Sequence, residues 1–519
     1  MKSIIILILA VFCSFSVWSQ HPNQMIAQGN GLCEPSIFVN PNNTDEVVAG
    51  AIIDKYYVSY DGGLSWNSGA LSSPYGVWGD PCLIVDSYSN YYYFHLSNPG
   101  SGGSWIDRIV CQKSDDGGQS WSSGNYMGLN GTKAQDKHWA IVDYNTNDIF
   151  VTWTQFDQYG SGSALHFSNI MFSKSIDNGE SWTDAIQINE ISGDCLDEGN
   201  TTEGAVPAIG PNGEVYVSWA GPAGLVFDKS LDQGETWLEE DIFVSDIPGP
   251  GWAFDIPGIS RCNGLPITCC NLSETEYNGD IYINWSDQRN GADDTDVWFI
   301  KSTDGGETWG ERKRVNDDEA GNQQFFTWMT VDQITGYIWF VFYDRRNYDD
   351  NNTDVYMAVS TDGGESFLNF KVSETPFLPF SSTFFGDYNN ISAHNNVVRP
   401  IWTRLEGSSP KIMTALVNSN IVGGEELESI PFSMQQNSPN PFDESTYISF
   451  KLRSAQEVSL VVYDMFARPV TVLVDHELMS SGKYTYHFSS GDYHLSPGVY
   501  YFSLISGSHQ IQKKMLLLH

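Results

Sequence analysis

Positive charge is what this 519-residue chain has least of: 26 Lys and Arg stand against 64 Asp and Glu, a formal net charge of −38. A surface of that sign repels phosphate backbones and anionic lipid over a Debye length, which excludes nucleic acid as a partner. Its plainest meaning is solvation of a secreted protein. Residues 430–519 hold seven acids against six Lys and Arg, so the excess belongs to the region before them. Long apolar runs are missing too. The longest, Ile4 to Val17, follows Lys2 and is too short to span a bilayer. With Trp18, Ser19 and Gln20 behind it, it reads as a secretory signal peptide, residues 1–19, which leaves no transmembrane span in the mature chain.

Cysteine is sparse. Cys13 leaves with the leader, and Cys33, Cys82, Cys111, Cys195, Cys262, Cys269 and Cys270 remain. An odd number leaves at least one thiol unpaired in an oxidising compartment, and the spacing fits no zinc pattern. Nothing reads as a Ser-His-Asp set, a phosphate loop or a dinucleotide fingerprint; Gly100-Ser-Gly-Gly103 is a Gly-rich loop between strands. No cofactor is implied. The loops Asp293 to Asp296 and Asp349 to Asp354 offer oxygen ligands to calcium, but without the glycine-turned spacing of an EF-hand.

What the chain does have is repetition. Ser-x-Asp-x-Gly-x-x-Trp/Phe occurs six times, opening at Ser59, Ser114, Ser175, Ser230, Ser302 and Ser360. The Asp residues (Asp61, Asp116, Asp177, Asp232, Asp304, Asp362) can accept N–H bonds of their own turn, the Gly supplies a left-handed position, and the aromatic folds back over it. Six copies at long spacing mean a repeat architecture. These turns resemble the Asp-box (BNR) repeats of sialidase-like β-propellers, over about residues 24–421.

Each turn is preceded by strand-like runs such as Pro81 to Asp86 with Tyr91 to Leu96, and Trp139 to Asp143 with Ile149 to Trp153. Four short strands per repeat compose a propeller blade. Pro35 to Asn40 opens a first repeat and Gly386 to Ile391 a last one, which gives seven blades, with the six usual in sialidases as the alternative. The segment around Met25-Ile26-Ala27 is placed to supply the last blade's fourth strand. The expectation is an all-β chain: propeller over 20–422, linker over 423–437, and a small β-sandwich over 438–519. Asn440-Pro-Phe, Tyr463-Asp464, Gly482, Pro497-Gly-Val-Tyr500 and the terminal Lys513-Lys-Met-Leu-Leu-Leu resemble the type IX secretion sorting domain of Bacteroidetes. That resemblance implies a periplasmic intermediate, export by the type IX machinery, and a secreted or cell-surface location.

Strand direction locates the working face. If strand A descends, the turn between strands C and D lies at the bottom, and the six boxes are structural. Function then belongs where the A strands begin, around the channel. Aligning those strands on their Val-Asp ending places Glu34, Asp80, Asp136, Lys137, His138, Glu203, Arg261, Asn263, Asp387 and Tyr388 there. Converging carboxylates raise one another's pKa, which suits acid/base work on a glycosidic bond, and serve equally to cap channel waters. The B-strand ends add Arg289, Arg345, Arg346 and Arg404. Asp287-Gln-Arg289 and Asp344-Arg-Arg346 suit a local ion pair as well as a clamp on a carboxylate. The family resemblance implies a glycosidase in which arginines grip the substrate carboxylate and a Tyr backed by a Glu attacks, with Tyr388 and Glu203 in those places. The family's Phe/Tyr-Arg-Ile-Pro is absent, and Glu34-Pro-Ser-Ile stands instead. The first expectation is thus a sialidase-like glycoside hydrolase on an extracellular, acidic glycan. The alternatives are a non-catalytic glycan- or protein-binding propeller and a polysaccharide lyase.

Overall fold

Short apolar runs bounded by Gly, Asp and Asn become antiparallel strands, and the repeats stack them four at a time. The computed structural model describes residues 21–100, 103–419, 432–452, 455–465, 468–506 and 509–518. The proposed leader and residues 423–431 of the proposed linker lie outside them. Contacts divide the chain into two units, 1–424 and 425–519.

The first unit is a propeller of seven blades. Blade 1 is Ser36–Val39, Val47–Ala51, Lys55–Ser59 and Asn67–Ala70; blade 2 is Cys82–Val85, Tyr91–Leu96, Ile109–Ser114 and Asn125–Met127. Blade 3 is Ala134–Val142, Ile149–Phe156, Ser168–Ser175 and Ile186–Gln187; blade 4 is Glu203–Ile209, Val215–Gly221, Gly224–Ser230 and Ile242–Ser245. Blade 5 is Ile267–Cys270, Ile281–Asp287, Asp296–Ser302 and Lys313–Arg314; blade 6 is Gln324–Val331, Ile338–Asp344, Asp354–Ser360 and Leu368–Lys371. Blade 7 takes Asn390–His394, Val397–Glu406 and Ser409–Ala415, and its outer strand is Asn23–Gln28 from the other end of the propeller sequence. That strand closes the ring, so the first and last blades share no open edge.

A hydrogen bond through a side chain joins blade to blade at every interface. Val39 N donates to Ser392 Oγ at 3.0 Å, Leu83 N to Ser36 Oγ at 3.2 Å, and Ala140 N to the Cys82 sulfur at 3.3 Å. Thr152 Oγ1 donates to the Ala205 carbonyl at 2.7 Å, and the Ser218 and Thr268 hydroxyls meet at 2.6 Å. Asn284 Nδ2 donates to Thr327 Oγ1 at 2.6 Å, and the Tyr343 hydroxyl to the Thr403 carbonyl at 2.9 Å. Large side chains of the B strands fill the blades, with Trp153, Trp219, Trp285 and Trp402 almost wholly buried. All seven cysteines of the described residues are free, and six of them are buried.

The six repeated turns share one geometry. In the fifth, Ser302 Oγ donates to Asp304 Oδ1 at 2.7 Å and accepts Gly306 N at 2.9 Å. The carboxylate accepts Thr308 N at 3.0 Å and Thr308 Oγ1 at 2.6 Å. These bonds, the Thr308 hydroxyl foremost, hold Asp304 down to about 2. A Lys just before three of the turns staples neighbouring blades: Lys174 bonds Glu235, Lys229 bonds Glu307 and Lys301 bonds Glu365, each at 2.6 Å.

The second unit pairs a sheet of Phe432–Met434, Ser445–Leu452 and Gly482–Ser489 with one of Pro469–Met479, Gln456–Asp464, Gly498–Ser506 and His509–Leu517. Alternate residues of both face one core, including Ile448, Phe450, Leu460, Val462, Phe488, Phe502, Leu504 and Met515.

Candidate active site

The lead into strand A is kinked the same way in five blades. Glu34, Asp80, Lys137, Gly204 and Phe326 all have φ between 45° and 87°, each two residues before regular pairing with strand B begins or resumes. Four of the five are not glycine, and left-handed backbone at such residues is strain that the surroundings must hold in place. Here the kink interrupts or precedes the pairing with strand B, and at Lys137 it lets the side chain reach blades 2 and 7.

Lys137 shows the result. Its ammonium reaches Asp80 of the lead into blade 2 at 3.2 Å and Asp387 of the lead into blade 7 at 2.8 Å. Asp387 is the hub. Arg261 donates to it through Nε at 2.7 Å and through Nη2, and Asn263 Nδ2 donates to its carbonyl at 2.9 Å. The third nitrogen of Arg261 bonds Asp197 at 3.1 Å, and its guanidinium lies 5.3 Å from the Phe384 ring centroid. Glu34 packs beside the hub: a Cβ on Gly386, whose φ is 93°, would lie 2.9 Å from Glu34 Cγ, so only glycine fits there.

Environment drives these carboxyls apart. Burial raises Asp387, but Lys137 and Arg261 more than offset it and hold the group well below the usual carboxylate range. Burial, with Asp80 and Asp387 adding, pushes Glu34 well above that range. Burial also lifts Asp136 to about 7, helped by Asp80 and Asp197. Glu203 is pushed well up by burial, then by Asp197 and Asp136, and is 0% exposed. The Tyr388 phenol is raised by burial and by Asp80 and Glu34.

Below the charges lies an aromatic floor. Trp139 and Trp328 have ring centroids 5.7 Å apart, and Tyr388 stands 6.2 Å and 6.1 Å from them. The gap above it is about 20 Å³. Beneath is the channel proper, a cavity of about 670 Å³ walled by the A strands, among them Ile37, Ile84, Ile141, Ala208, Met329 and Ile391.

Glu34, Asp80, Asp136, Lys137, Glu203, Arg261, Asn263, Asp387 and Tyr388 therefore meet at one mouth. His138 does not join them: it turns into the blade beside His95, and burial lowers it to about 4. The B-strand arginines are engaged elsewhere. Arg289 pairs with Asp287 and lies over Trp298, and Arg346 pairs with Asp344 and Asp317 over Tyr356. Arg345 donates to the Pro257 carbonyl at 2.7 Å and to Thr353, and burial lowers it to about 10. Arg404 donates to the carbonyls of Thr375 and Pro376. In the two acidic loops, Asp294 accepts Gly321 N, Asp296 accepts Asn290 and Asn316, and Asp354 accepts Tyr348 and Ser373. Among the described residues no group of His, Cys, Asp and Glu is arranged to hold a metal ion.

Five residues at the mouth escaped the sequence reading. Trp78, Trp105 and Tyr159 form an arc, with centroids 6.2 Å and then 5.4 Å apart, Tyr159 donates to Asp197 at 2.6 Å, and Phe384 lies under Arg261. All stand in loops at the upper rim, where no period marks them. For the four aromatics the only signal was a large ring in otherwise Gly-, Ser- and Asp-rich stretches, and Asp197 carried none.

No curated protein matches the chain. Among solved structures, the NanB sialidase from Streptococcus pneumoniae aligns at 10% identity over 73% of this chain and 84% of its own, with a TM-score of 0.44. An ulvan lyase, solved with -[GlcA(1-4)Rha3S]- bound, aligns at 15% over 77% and 96%, with a TM-score of 0.47. YCF48, solved bound to D1 peptide, aligns at 12% over 78% and 98%, with a TM-score of 0.41. A sialidase, a lyase and a peptide binder at such distances choose no chemistry here. The C-terminal unit is more definite. Residues 438–517 match the secretion system C-terminal sorting domain, so the propeller is followed by a type IX address for export to the cell surface or beyond.

Proposed function

We propose that the propeller acts on extracellular glycans as a glycoside hydrolase whose acid and base stand at the channel mouth. The observation that carries this reading is the contrast between neighbouring carboxyls: burial, with Asp80 and Asp387 adding, raises Glu34 well above the usual carboxylate range, while Lys137 and Arg261 bond Asp387 and hold it well below. Two acids pushed apart by their surroundings are what general acid/base chemistry at a glycosidic oxygen requires. Glu34 is the proton donor to the leaving oxygen. Asp387, fixed by Lys137 and Arg261, supplies preorganised negative charge toward an oxocarbenium-like centre; water closes the new bond to that carbon, and its proton goes to the Glu34 carboxylate left by the first transfer. The Tyr388 phenol stays protonated at neutral pH, so it enters as a hydrogen-bond donor rather than a phenolate nucleophile. The rim aromatics Trp78, Trp105 and Tyr159 give sugar rings faces to lie on.

Affinity for acidic glycans has lost its support, since Arg289, Arg345, Arg346 and Arg404 are held in local contacts. The test is a glycan panel with released reducing sugar and unsaturated product both measured. Glu34→Gln is expected to lower kcat by about 100-fold or more without changing the melting temperature. Unsaturated product would assign elimination instead, and binding without product would assign a binding propeller.

A further inference from the structure

Seven A strands turn one edge each toward the ring axis, and an unpaired edge ordinarily holds water. Here the neighbouring blade takes much of that edge. Ile37 N donates to Asn390 Oδ1 at 3.3 Å and Val39 N to Ser392 Oγ at 3.0 Å, while Leu83 N and Ala140 N are taken by Ser36 and Cys82. Pro207 has no N–H to offer. The Met329 carbonyl accepts the Cys269 thiol at 3.5 Å, and the Cys270 carbonyl accepts Gln333 Nε2 at 2.9 Å.

The side chains that remain toward the axis are mostly apolar. Phe38, Ile84, Ile141 and Ala208 hold equivalent places, one residue before Val39, Val85, Val142 and Ile209, and all four line the lumen of about 670 Å³. Phe38, Ile141, Cys269 and Thr330 are partly exposed although they stand inside the ring, so the space between them admits small molecules. Among the described residues no Lys or Arg lines it, and its one Asp and one His, Asp143 and His394, stand where strands A end. Exposed Tyr144, Asn145, Pro211 and Asn278 surround that end. It is the face of the six boxes: Gly62 N of the first box donates at 2.8 Å to the Asp45 carbonyl, in the turn that follows the first strand A. Water in such a space finds few partners, and an apolar guest that displaces it leaves no polar group unpaired. A sugar or an ion would give up hydration that this wall cannot replace.

We infer that the lumen is a second binding site, separate from the mouth, that takes an uncharged apolar molecule through the face of the boxes. The site stands independently of the glycan reading. The probe is N-phenyl-1-naphthylamine, a neutral fluorophore, titrated into the mature chain. Saturable binding of about one dye per chain is expected, with decanol displacing it at least about tenfold better than decanoate or decylammonium. Thr330→Trp and Cys269→Phe build larger side chains into the lumen from two blades and should each weaken the dye by about tenfold. A melting temperature matched to the parent qualifies each variant, and Trp105→Ala at the upper rim should leave the dye unaffected. A readout on the parent needs no substitution. Cys269 is the one cysteine of the described seven that is not buried, so bound dye should slow its alkylation by N-ethylmaleimide, followed on its peptide by mass spectrometry. Absence of saturable binding, equal displacement by the three decyl compounds, or alkylation of Cys269 unchanged at saturating dye overturns the proposal. Dye weakened by Trp105→Ala and indifferent to the lumen variants would put it on the upper rim, and overturns it as well.

Discussion

Replacing Lys137 by Met deletes the one ammonium that joins Asp80 and Asp387 while keeping a flexible apolar stem of similar length. Lys137 is 6% exposed and Asp387 3% exposed, so solvent cannot substitute for the lost partner. Breaking a buried pair by removing one side costs about 3–5 kcal/mol, because a charge is left uncompensated. Arg261 still holds Asp387, which places the expected cost near the lower end, about 3 kcal/mol at pH 7. The pH dependence separates charge from packing. In the parent, Asp387 has a depressed pKa, so its stabilisation is present above the unfolded value of about 4 and is lost only as pH falls through the folded one. Without Lys137 the carboxyls of the cluster titrate upward, and protonation relieves the repulsion. The cost at pH 4.5 should then be less than half that at pH 7. Urea unfolding followed by tryptophan fluorescence reads the propeller alone, since all 17 Trp lie at or before Trp402. An equal cost at both pH values would mean that the stem, not the charge, matters, and the electrostatic account of the mouth would fail.

Asp304→Ala should cost about 1 kcal/mol, because the lost bonds belong to an exposed turn, and leave turnover per folded molecule unchanged; a large activity loss at unchanged melting temperature would put the boxes on the working face. Stability should peak on the acid side of neutrality. Asp136, Asp228 and Asp241 (about 7) and Asp280 and Asp344 (about 6) hold protons that the unfolded chain has released above about pH 4, so stability falls as pH rises through that window. His95 and His138, lowered to about 4, oppose this below about 6.5 but are outnumbered, and Asp116, Asp232 and Asp304, at about 2, lose their contribution only below about 4. A melting temperature that climbs steadily from pH 5 to 8 would contradict that balance. Truncation after Glu428 should leave a folded propeller in the periplasm, and normal surface delivery of the shortened chain would show that the address lies elsewhere.

Much of the architecture was legible because a blade repeats its chemistry. Ser, Asp and Gly recur at fixed offsets since one turn geometry needs all three, and the spare strand at Asn23–Gln28 was demanded by a last repeat that lacked its own. The mouth was legible for the same reason. Aligning strand A across blades put Glu34, Asp80, Lys137 and Asp387 at equivalent heights, and the ring brings equivalent heights together. The Lys staples between boxes went unread, although Lys174, Lys229 and Lys301 each precede a box Ser, because the partner Glu lies in the next repeat. The arginines went astray for a local reason. An Asp two residues before an Arg on one strand end is already within reach of it, so Arg289 and Arg346 fold back before any ligand arrives.

The aromatic floor decides how a ligand must lie. Strand-A alternation puts Trp139, Trp328 and Tyr388 into the channel just under the kinked leads, and their mutual approach leaves about 20 Å³ above them. The 670 Å³ lumen below shares Trp139, Ile267 and Trp328 with that small gap. On the proposed function, a glycan rests across the top, with one linkage over Glu34 and Asp387 and its neighbouring residues on the rim. That is where Trp78, Trp105 and Phe384 are exposed. Burial is the largest cause that raises Glu34, Asp136 and Glu203, and Tyr388 of the floor lies close enough to Glu34 and Asp80 to be raised by them.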